Sequence, residues 1–480
     1  MSFPSIVNIS QRNGIKTFPQ NIFEDLKISH LLSAEALLPM RTVCTAADIS
    51  ERREVFRELE ATSAFDVMSS LYELSCATAI HSELFSAAEA DSEKAVAFAS
   101  LCASICRFAE KSADTGFTSP LLSRFSSYFK DLTDSESFCE LRAAVESLPE
   151  IPSVSFRVTG EELSLLPVTD TAYTDRLAAC AGQLGITLPD RRRAPARRMA
   201  VRVCDAVASL YPEVFKKYSD FSEKFSYFYD PSILSYREQL AFYLEVCRLR
   251  MRAADYGIPC VYPTISNQKH MICDSVYDVT LILKNQRDIV PNDIDMTSRE
   301  PFFFLTGANG GGKTTYMRAV GVTLVLFLTG CPVFARSADI FPFSCVFTHF
   351  PQDERFDDTG RFLDEERRID AILESSDEDS VILLNETYST TAKETAEERT
   401  ESLARKLYEQ KRFGIYITHQ HAMELTDIPL LSVAVDENDN NKRTYRIVRR
   451  KTSPRSFAND ILIRYGLTRC QLAERFGVEL

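Results

Sequence analysis

Phe302-Phe303-Phe304-Leu305-Thr306-Gly307-Ala308-Asn309-Gly310-Gly311-Gly312-Lys313-Thr314-Thr315-Tyr316-Met317-Arg318 is the stretch on which the fold class turns. Bulky apolar residues, in a run short enough for a buried strand, lead into a glycine-rich turn. A helical pattern follows from Lys313 through Val320, Leu324 and Val325 to about Leu328. From Gly307 to Thr314 the turn reads G-x-x-x-x-G-K-T, and each part has a physical reason. Glycines let the backbone approach phosphate oxygens and aim several N–H groups at them. The helix that starts there adds the positive end of its dipole. A lysine at 313 reaches β- and γ-phosphates, and a Thr314 hydroxyl can serve Mg²⁺. Strand before and helix after supply the context the motif needs. A nucleotide site formed by Gly307, Ala308, Asn309, Gly310, Gly311, Gly312, Lys313, Thr314 and Thr315, with ATP and Mg²⁺ as cofactors, is therefore expected.

Outward from this stretch, the totals restrict the class. A chain of 480 residues is long enough for two or three domains with full cores, and 45% hydrophobic with 26% charged residues is ordinary for a globular protein. No apolar run reaches membrane-spanning length, and Met1-Ser2-Phe3-Pro4-Ser5 lacks a basic region followed by an apolar core. A cytoplasmic protein without membrane partners is the expectation. The formal charge of −13 opposes a general coat of nucleic acid but leaves room for a local basic patch. The 13 cysteines include no C-x-x-C pair, and Cys76, Cys102, Cys106 and Cys247 fall at apolar helical positions, where a reduced thiol acts as a small hydrophobe. Six histidines without clustering argue against a structural metal.

The first half reads as helix. Val55, Leu59, Phe65, Met68, Leu71 and Leu74 recur at three- and four-residue steps between Asp48 and Leu84. Further helical patterns cover Ser92 to Lys111, Leu121 to Leu148 and Tyr236 to Ala254, with a short strand or two near residues 150–170. Short apolar strands are expected at Val279–Leu283, Phe302–Leu305, Val381–Leu384 and Ile415–Ile417, separated by helices. That alternation predicts a three-layer α/β domain from about residue 263 onward.

Four features of the second half fit the glycine-rich loop. Val381 to Leu384 is an apolar run ending in Asn385-Glu386, which would set a Mg²⁺-facing residue and a water-activating carboxylate beside the γ-phosphate; Glu386 is the candidate base. Ile415-Tyr416-Ile417-Thr418 ends in His419, a candidate γ-phosphate sensor, although a lone strand-end histidine is usually structural. Phe347 to Asp353 is positioned to link the site to the helical half. Ile289-Val290-Pro291-Asn292-Asp293 can hold an adenine with apolar side chains and backbone.

Taken in order, these residues resemble the MutS family of DNA-repair ATPases. The pieces are I-V-P-N-D at 289–293, T-G-A-N-G-G-G-K-T-T-Y-M-R at 306–318, C-P-V-F-A at 331–335, F-T at 347–348, and T-H with E-L-T at 418–426. Pro39-Met40-Arg41-Thr42 followed by Arg52-Arg53-Glu54-Val55 is similar to that family's opening helix. The resemblance implies a multidomain protein: a mostly α-helical core, lever and clamp half, then an α/β P-loop ATPase domain of the ABC type. The implied divisions are 1–125 for the core and start of the lever, 126–215 for lever and clamp, 216–262 for the returning lever helix, and 263–480 for the ATPase domain. It also implies a homodimer around DNA, with a C-terminal helical dimerisation element at 467–480.

There are departures from the family pattern. Core-like helices begin near residue 40, so no mismatch-reading domain is expected. Asn385 stands where the family carries aspartate; its carbonyl can serve Mg²⁺, but without charge. Thr387 to Thr391 lacks the family's glycines, and Gly360-Arg361-Phe362 replaces a serine-containing trans signature. The dense run Arg191, Arg192, Arg193, Arg197, Arg198 and Arg202 is either solvated surface or the place where a clamp meets the DNA backbone. An ATP-switched, DNA-binding homodimeric ATPase is the leading reading. A nucleotide-switched scaffold with little hydrolysis and an ABC-type ATPase acting on a protein or ribosomal partner are its rivals.

Overall fold

The computed structural model describes residues 3–7, 16–152, 154–159, 162–167, 201–307, 309–350, 358–388, 393–418, 428–435, 443–450 and 475. The chain divides into two compact units: Met1–Ile6 with Ala61–Ala241, and Val7–Glu60 with Phe242–Leu480.

The first unit is helical where the sequence carries helical periodicity. Its long helices are Thr62–Ala87 and Asp91–Ala113, followed by Pro120–Thr133, Glu136–Glu146, Val201–Leu210 and Pro212–Phe225. Pro120 and Pro212 each start a helix, where a missing N–H costs nothing. The strands expected near 150–170 form an antiparallel hairpin, β1 (Val154–Thr159) and β2 (Glu162–Pro167). An aromatic knot closes the unit: Phe108, Phe125, Phe129 and Tyr236 stack edge-on or tilted, and the Tyr236 hydroxyl donates to the Pro4 carbonyl at 2.8 Å. Burying a hydroxyl with its acceptor avoids the desolvation cost of leaving it unpaired.

The second unit holds the remaining strands. In chain order they are β3 (Thr264–Ile265), β4 (His270–Val276), β5 (Asn292–Thr297), β6 (Phe302–Thr306), β7 (Ser337–Ile340), β8 (Cys345–His349), β9 (Ser380–Asn385), β10 (Phe413–Ile417), β11 (Leu430–Val435) and β12 (Arg443–Arg450). One sheet has the order β3-β7-β4-β5 and the other the order β12-β11-β6-β10-β9-β8. In the larger sheet β8, β9, β10, β6 and β11 run parallel, and β12 closes the edge antiparallel. Strands β6, β8, β9 and β10 are buried at every position, as a parallel sheet covered on both faces requires.

Side-chain alternation sorts the two faces. Ile382 and Leu384 join a buried cluster with Ile369 of helix Asp358–Ser375 and with Leu403, Ala404 and Leu407 of helix Lys393–Glu409. Leu383 points the other way, to helix Lys313–Leu328, which approaches so closely that a Cβ on Gly321 would lie 3.1 Å from Leu383 Cδ1. Helices thus cover both faces of the larger sheet. Helix Lys313–Leu328 is apolar nearly all round because it is buried nearly all round.

Residues from the start of the chain complete this unit. Thr45 and Asp48 form a reciprocal cap on helix Ala46–Glu58. On that helix Arg52 is fully buried, stacks over Phe242 and donates to Val7 O at 2.6 Å and Thr329 O at 2.8 Å. Thr329 is the C-cap of helix Lys313–Leu328, so the guanidinium sits at the negative end of that helix's dipole.

One expected strand is not one. Val279–Lys284 is a 3₁₀ helix, although Val279–Leu283 reads as an apolar strand. Asp278 decides the matter: its Oδ1 accepts from Thr280 N at 3.0 Å and Thr280 Oγ1 at 2.6 Å, and left-handed Asn285 ends the turn. A short run of four apolar residues and one threonine fits either state, and the flanking cap selects between them. Among the described residues no helix is long and apolar enough to cross a membrane, no cysteine is in a disulfide, and no acidic, His or Cys cluster could hold a metal alone.

Candidate functional site

The glycine-rich loop leaves β6 at the carboxyl end of the parallel strands, where open α/β sheets leave a crevice. Its glycines are used for their conformations. Gly307 has φ +133°, and a Cβ there would lie 2.9 Å from Val433 Cγ2 on β11. Gly312 has φ +98° and caps helix Lys313–Leu328 in the left-handed region. Asn309 and Gly310 are exposed, while Thr314 and Thr315 are half-buried in the helix's first turn. Lys313 folds back under the loop: only 4% exposed, its Nζ donates to Gly307 O at 2.8 Å and lies 3.5 Å from Asn309 Oδ1. Burial lowers the pKa of its ammonium, and the Glu386 carboxylate pulls it part of the way back.

That electrostatic coupling brings the second motif to the first. β10 lies between β6 and β9, and the three strands end side by side. Thr418 N donates to Leu305 O at 3.2 Å, and Glu386 N donates to Ile417 O at 3.0 Å. Asn385 pairs in register with Ile417; it is buried, and its Oδ1 has no hydrogen-bond partner among the described residues. A buried carbonyl left without a donor is costly unless a ligand or ion meets it. Glu386 is half-buried with φ +51°, and Tyr388, two residues on, has φ +65°. Thus the turn that lacks glycines in the sequence still takes left-handed conformations, using residues that bear the strain.

Ile289 is buried and Val290 half-buried, immediately before β5. Asn292 ties this segment to the edge strand: its Nδ2 donates to Tyr445 O at 3.1 Å, and its Oδ1 accepts from Ile447 N at 2.7 Å. Tyr445 is exposed, has φ +56°, and places its ring 3.4 Å from where a Gly312 Cβ would stand. The 289–293 segment and the loop are therefore joined through β12. Sequence reading had no reason to single out Tyr445, since its neighbour Gly312 lies far away along the chain. It also gave little weight to His349 at the end of β8, which is fully buried with Nδ1 3.3 Å from Thr387 Oγ1. Burial, followed by the Arg368 guanidinium, lowers its pKa to about 4.

Some expected residues are not brought into this picture. His419, Ala308, Arg191, Arg192, Arg193, Arg197 and Arg198 lie outside the described residues, as does 467–480 apart from exposed, helical Arg475. The backbone of Arg202 lies in helix Val201–Leu210, and that of Gly360, Arg361 and Phe362 in the first turns of helix Asp358–Ser375.

Residues 303–478 match the family model described as MutS domain V. Over 207 residues the chain is 28% identical to the DNA mismatch repair protein MutS of Natronomonas pharaonis, covering 40% of this chain and 24% of that protein. It is 30% identical over 165 residues to DNA mismatch repair protein MutS 1 of Haloarcula marismortui, covering 32% and 18%. A third match, to DNA mismatch repair protein MutS of Fervidobacterium nodosum, is 31% identical over 125 residues, 26% of this chain and 15% of the relative. The matched part thus spans a quarter or less of each relative's length.

Proposed function

The chain belongs to the MutS family, and on that premise we propose that it is a DNA-binding ATPase, working as an ATP-switched homodimeric clamp on a DNA structure. The observation that carries this reading is that Lys313, under a glycine loop that opens a buried helix, lies within electrostatic reach of Glu386, which follows the parallel strand next but one in the sheet.

Loop amides and the helix N-terminus would hold the phosphates, and Lys313 would exchange its contacts with Gly307 O and Asn309 for phosphate oxygens. The residues present fit Mg²⁺, which takes few protein ligands alongside phosphate oxygens and water: the Thr314 hydroxyl and the orphaned Asn385 Oδ1 are available oxygen donors. When bound, Mg²⁺ supplies charge neutralisation to the phosphates. Glu386 orients a water and takes its proton as the water oxygen attacks the γ-phosphorus; the bond to the β-phosphate oxygen breaks, leaving ADP and phosphate. Ile289 and Val290 would line the base, and His419 would sense the γ-phosphate. Arg191, Arg192, Arg193, Arg197, Arg198 and Arg202 would meet DNA phosphates.

Lys313→Ala should abolish ATP binding with helical content kept. Glu386→Gln should bind ATP but turn it over about a hundredfold more slowly. Both are read by nucleotide titration and steady-state ATPase assay, with and without duplex, mismatched, branched and four-way DNA. ATP binding by Lys313→Ala equal to the parent's would refute the nucleotide site, and DNA binding indifferent to ATP would refute the switch. The neutral Asn385 favours the scaffold alternative, in which ATP binds and is hardly hydrolysed; that reading gains if parent and Glu386→Gln turn over equally slowly.

A further inference from the structure

Residues 386–388 pose a mechanical problem. Glu386 and Tyr388 are both left-handed at φ +51° and +65°, and neither is glycine. An L side chain in that region drifts back to right-handed backbone unless its surroundings hold it. The turn that carries the Glu386 carboxylate within electrostatic reach of Lys313 must therefore be clamped from outside.

Thr387, between the two strained residues, is where the clamp attaches. It is buried, and its Oγ1 shares a hydrogen bond with His349 Nδ1 at 3.3 Å. Its carbonyl accepts from the Tyr416 hydroxyl at 3.5 Å, and that hydroxyl also bonds Thr400 Oγ1 at 3.2 Å. The Tyr388 ring is sunk in the cluster of Phe304, Leu384, Leu403 and Tyr416. The Tyr416 contact holds the backbone, and Tyr388 packing holds the far end. His349 alone grips the Thr387 side chain among the described residues. The imidazole sits at the last position of β8, in register with Leu384 one residue before Asn385, so its base is fixed by the sheet. Its Nε2 is buried and finds no partner among the described residues. A histidine held in the core for its own stability would ordinarily use both nitrogens.

We propose that His349 is a positioning residue for the reaction: by gripping Thr387 it holds the glycine-free 386–388 turn in its left-handed form and so keeps the Glu386 carboxylate on the reacting water. This rests on the assignment of Glu386 as base. The consequence is selective. Loss of the grip lets Glu386 swing while the glycine loop and Lys313 stay as they are, so turnover falls and ATP affinity does not. A misplaced catalytic group commonly costs a factor of ten to a hundred.

The test uses the full chain and single-turnover ATP hydrolysis beside ATP titration. Thr387→Val removes only the hydroxyl and Thr387→Ser restores it; His349→Leu removes the grip and His349→Gln offers an amide in its place. Thr387→Val and His349→Leu should each lower turnover about tenfold or more, with ATP affinity within about twofold of the parent. The double variant should be no slower than either single one, because one contact is lost only once. Thr387→Ser and His349→Gln should recover most of the rate. Parent turnover in Thr387→Val, additive losses in the double variant, or a weakening of ATP binding matching the loss of rate would each overturn the proposal. If His349→Leu does not fold, the Thr387→Val and Thr387→Ser pair decides alone. Glu386→Gln, run beside them, separates the two failures: parent-like turnover there removes the base assignment itself, whereas slow turnover there with a normal Thr387→Val removes only the clamp.

Discussion

Acid should destabilise this protein through His349 in a way that one substitution removes. The imidazole is fully buried, and its pKa is lowered to about 4 by burial and by Arg368, against about 6.5 in an unfolded chain. Below pH 6.5 the unfolded chain takes up a proton that the folded protein refuses, so stability is lost as pH falls from 6.5 towards 4. Above about pH 8 both states are neutral and the group contributes no slope. For these two values the linkage relation gives a loss of about 0.8 kcal/mol at pH 6 and about 2 kcal/mol at pH 5. The assay is urea unfolding followed by far-UV circular dichroism, since the chain has no tryptophan to report by fluorescence. With a slope of about 2 kcal/mol per M urea, the parent's midpoint should fall between pH 7 and pH 5 by about 1 M more than that of His349→Gln. Carboxylates titrate in both proteins and cancel in the comparison. Parallel midpoint curves for parent and variant would refute the argument, because they would place a solvated imidazole where the structure buries one.

Other consequences can be checked independently. Gly307→Ala should weaken ATP binding more than tenfold and lower the melting temperature by several degrees, because φ +133° and a Cβ 2.9 Å from Val433 Cγ2 together cost about 1–3 kcal/mol; normal ATP titration and melting would contradict it. Asn385→Asp should shift the Mg²⁺ dependence of ATPase activity to lower concentration, as a charged oxygen replaces a carbonyl dipole; coincident Mg²⁺ titrations would take Asn385 away from the metal. Replacing Arg191, Arg192, Arg193, Arg197 and Arg198 with serine should flatten the salt dependence of duplex-DNA binding by about one unit of slope for each lost phosphate contact, with basal ATPase unchanged; an unaltered slope would make the run ordinary surface.

What the sequence determined by itself is what local pattern can encode. Apolar residues at three- and four-residue steps specify Thr62–Ala87 and Asp91–Ala113 as helices, since a helix needs only its own backbone and one buried stripe. Phe302 to Lys313 specifies strand, loop and helix, because Gly307 and Gly312 occupy conformations closed to most other residues. Asn385-Glu386 stands out as two polar residues at the end of an apolar run, and the structure brings Glu386 within electrostatic reach of Lys313. The pattern failed at Val279–Leu283, where four apolar residues and a threonine suit strand and 3₁₀ helix alike and the Asp278 side chain chooses.

Tertiary structure decided the rest. Arg52 belongs under the end of a helix that starts 261 residues later, Tyr445 beside Gly312, and His349 on Thr387. Residues 7–60 join the sheets, not the helices that follow them. None of these has a period or a neighbouring cap to announce it. Each is a contact between positions far apart in the chain, formed only when the elements that carry them pack together, and the side chains that meet there carry no mark of it in one dimension.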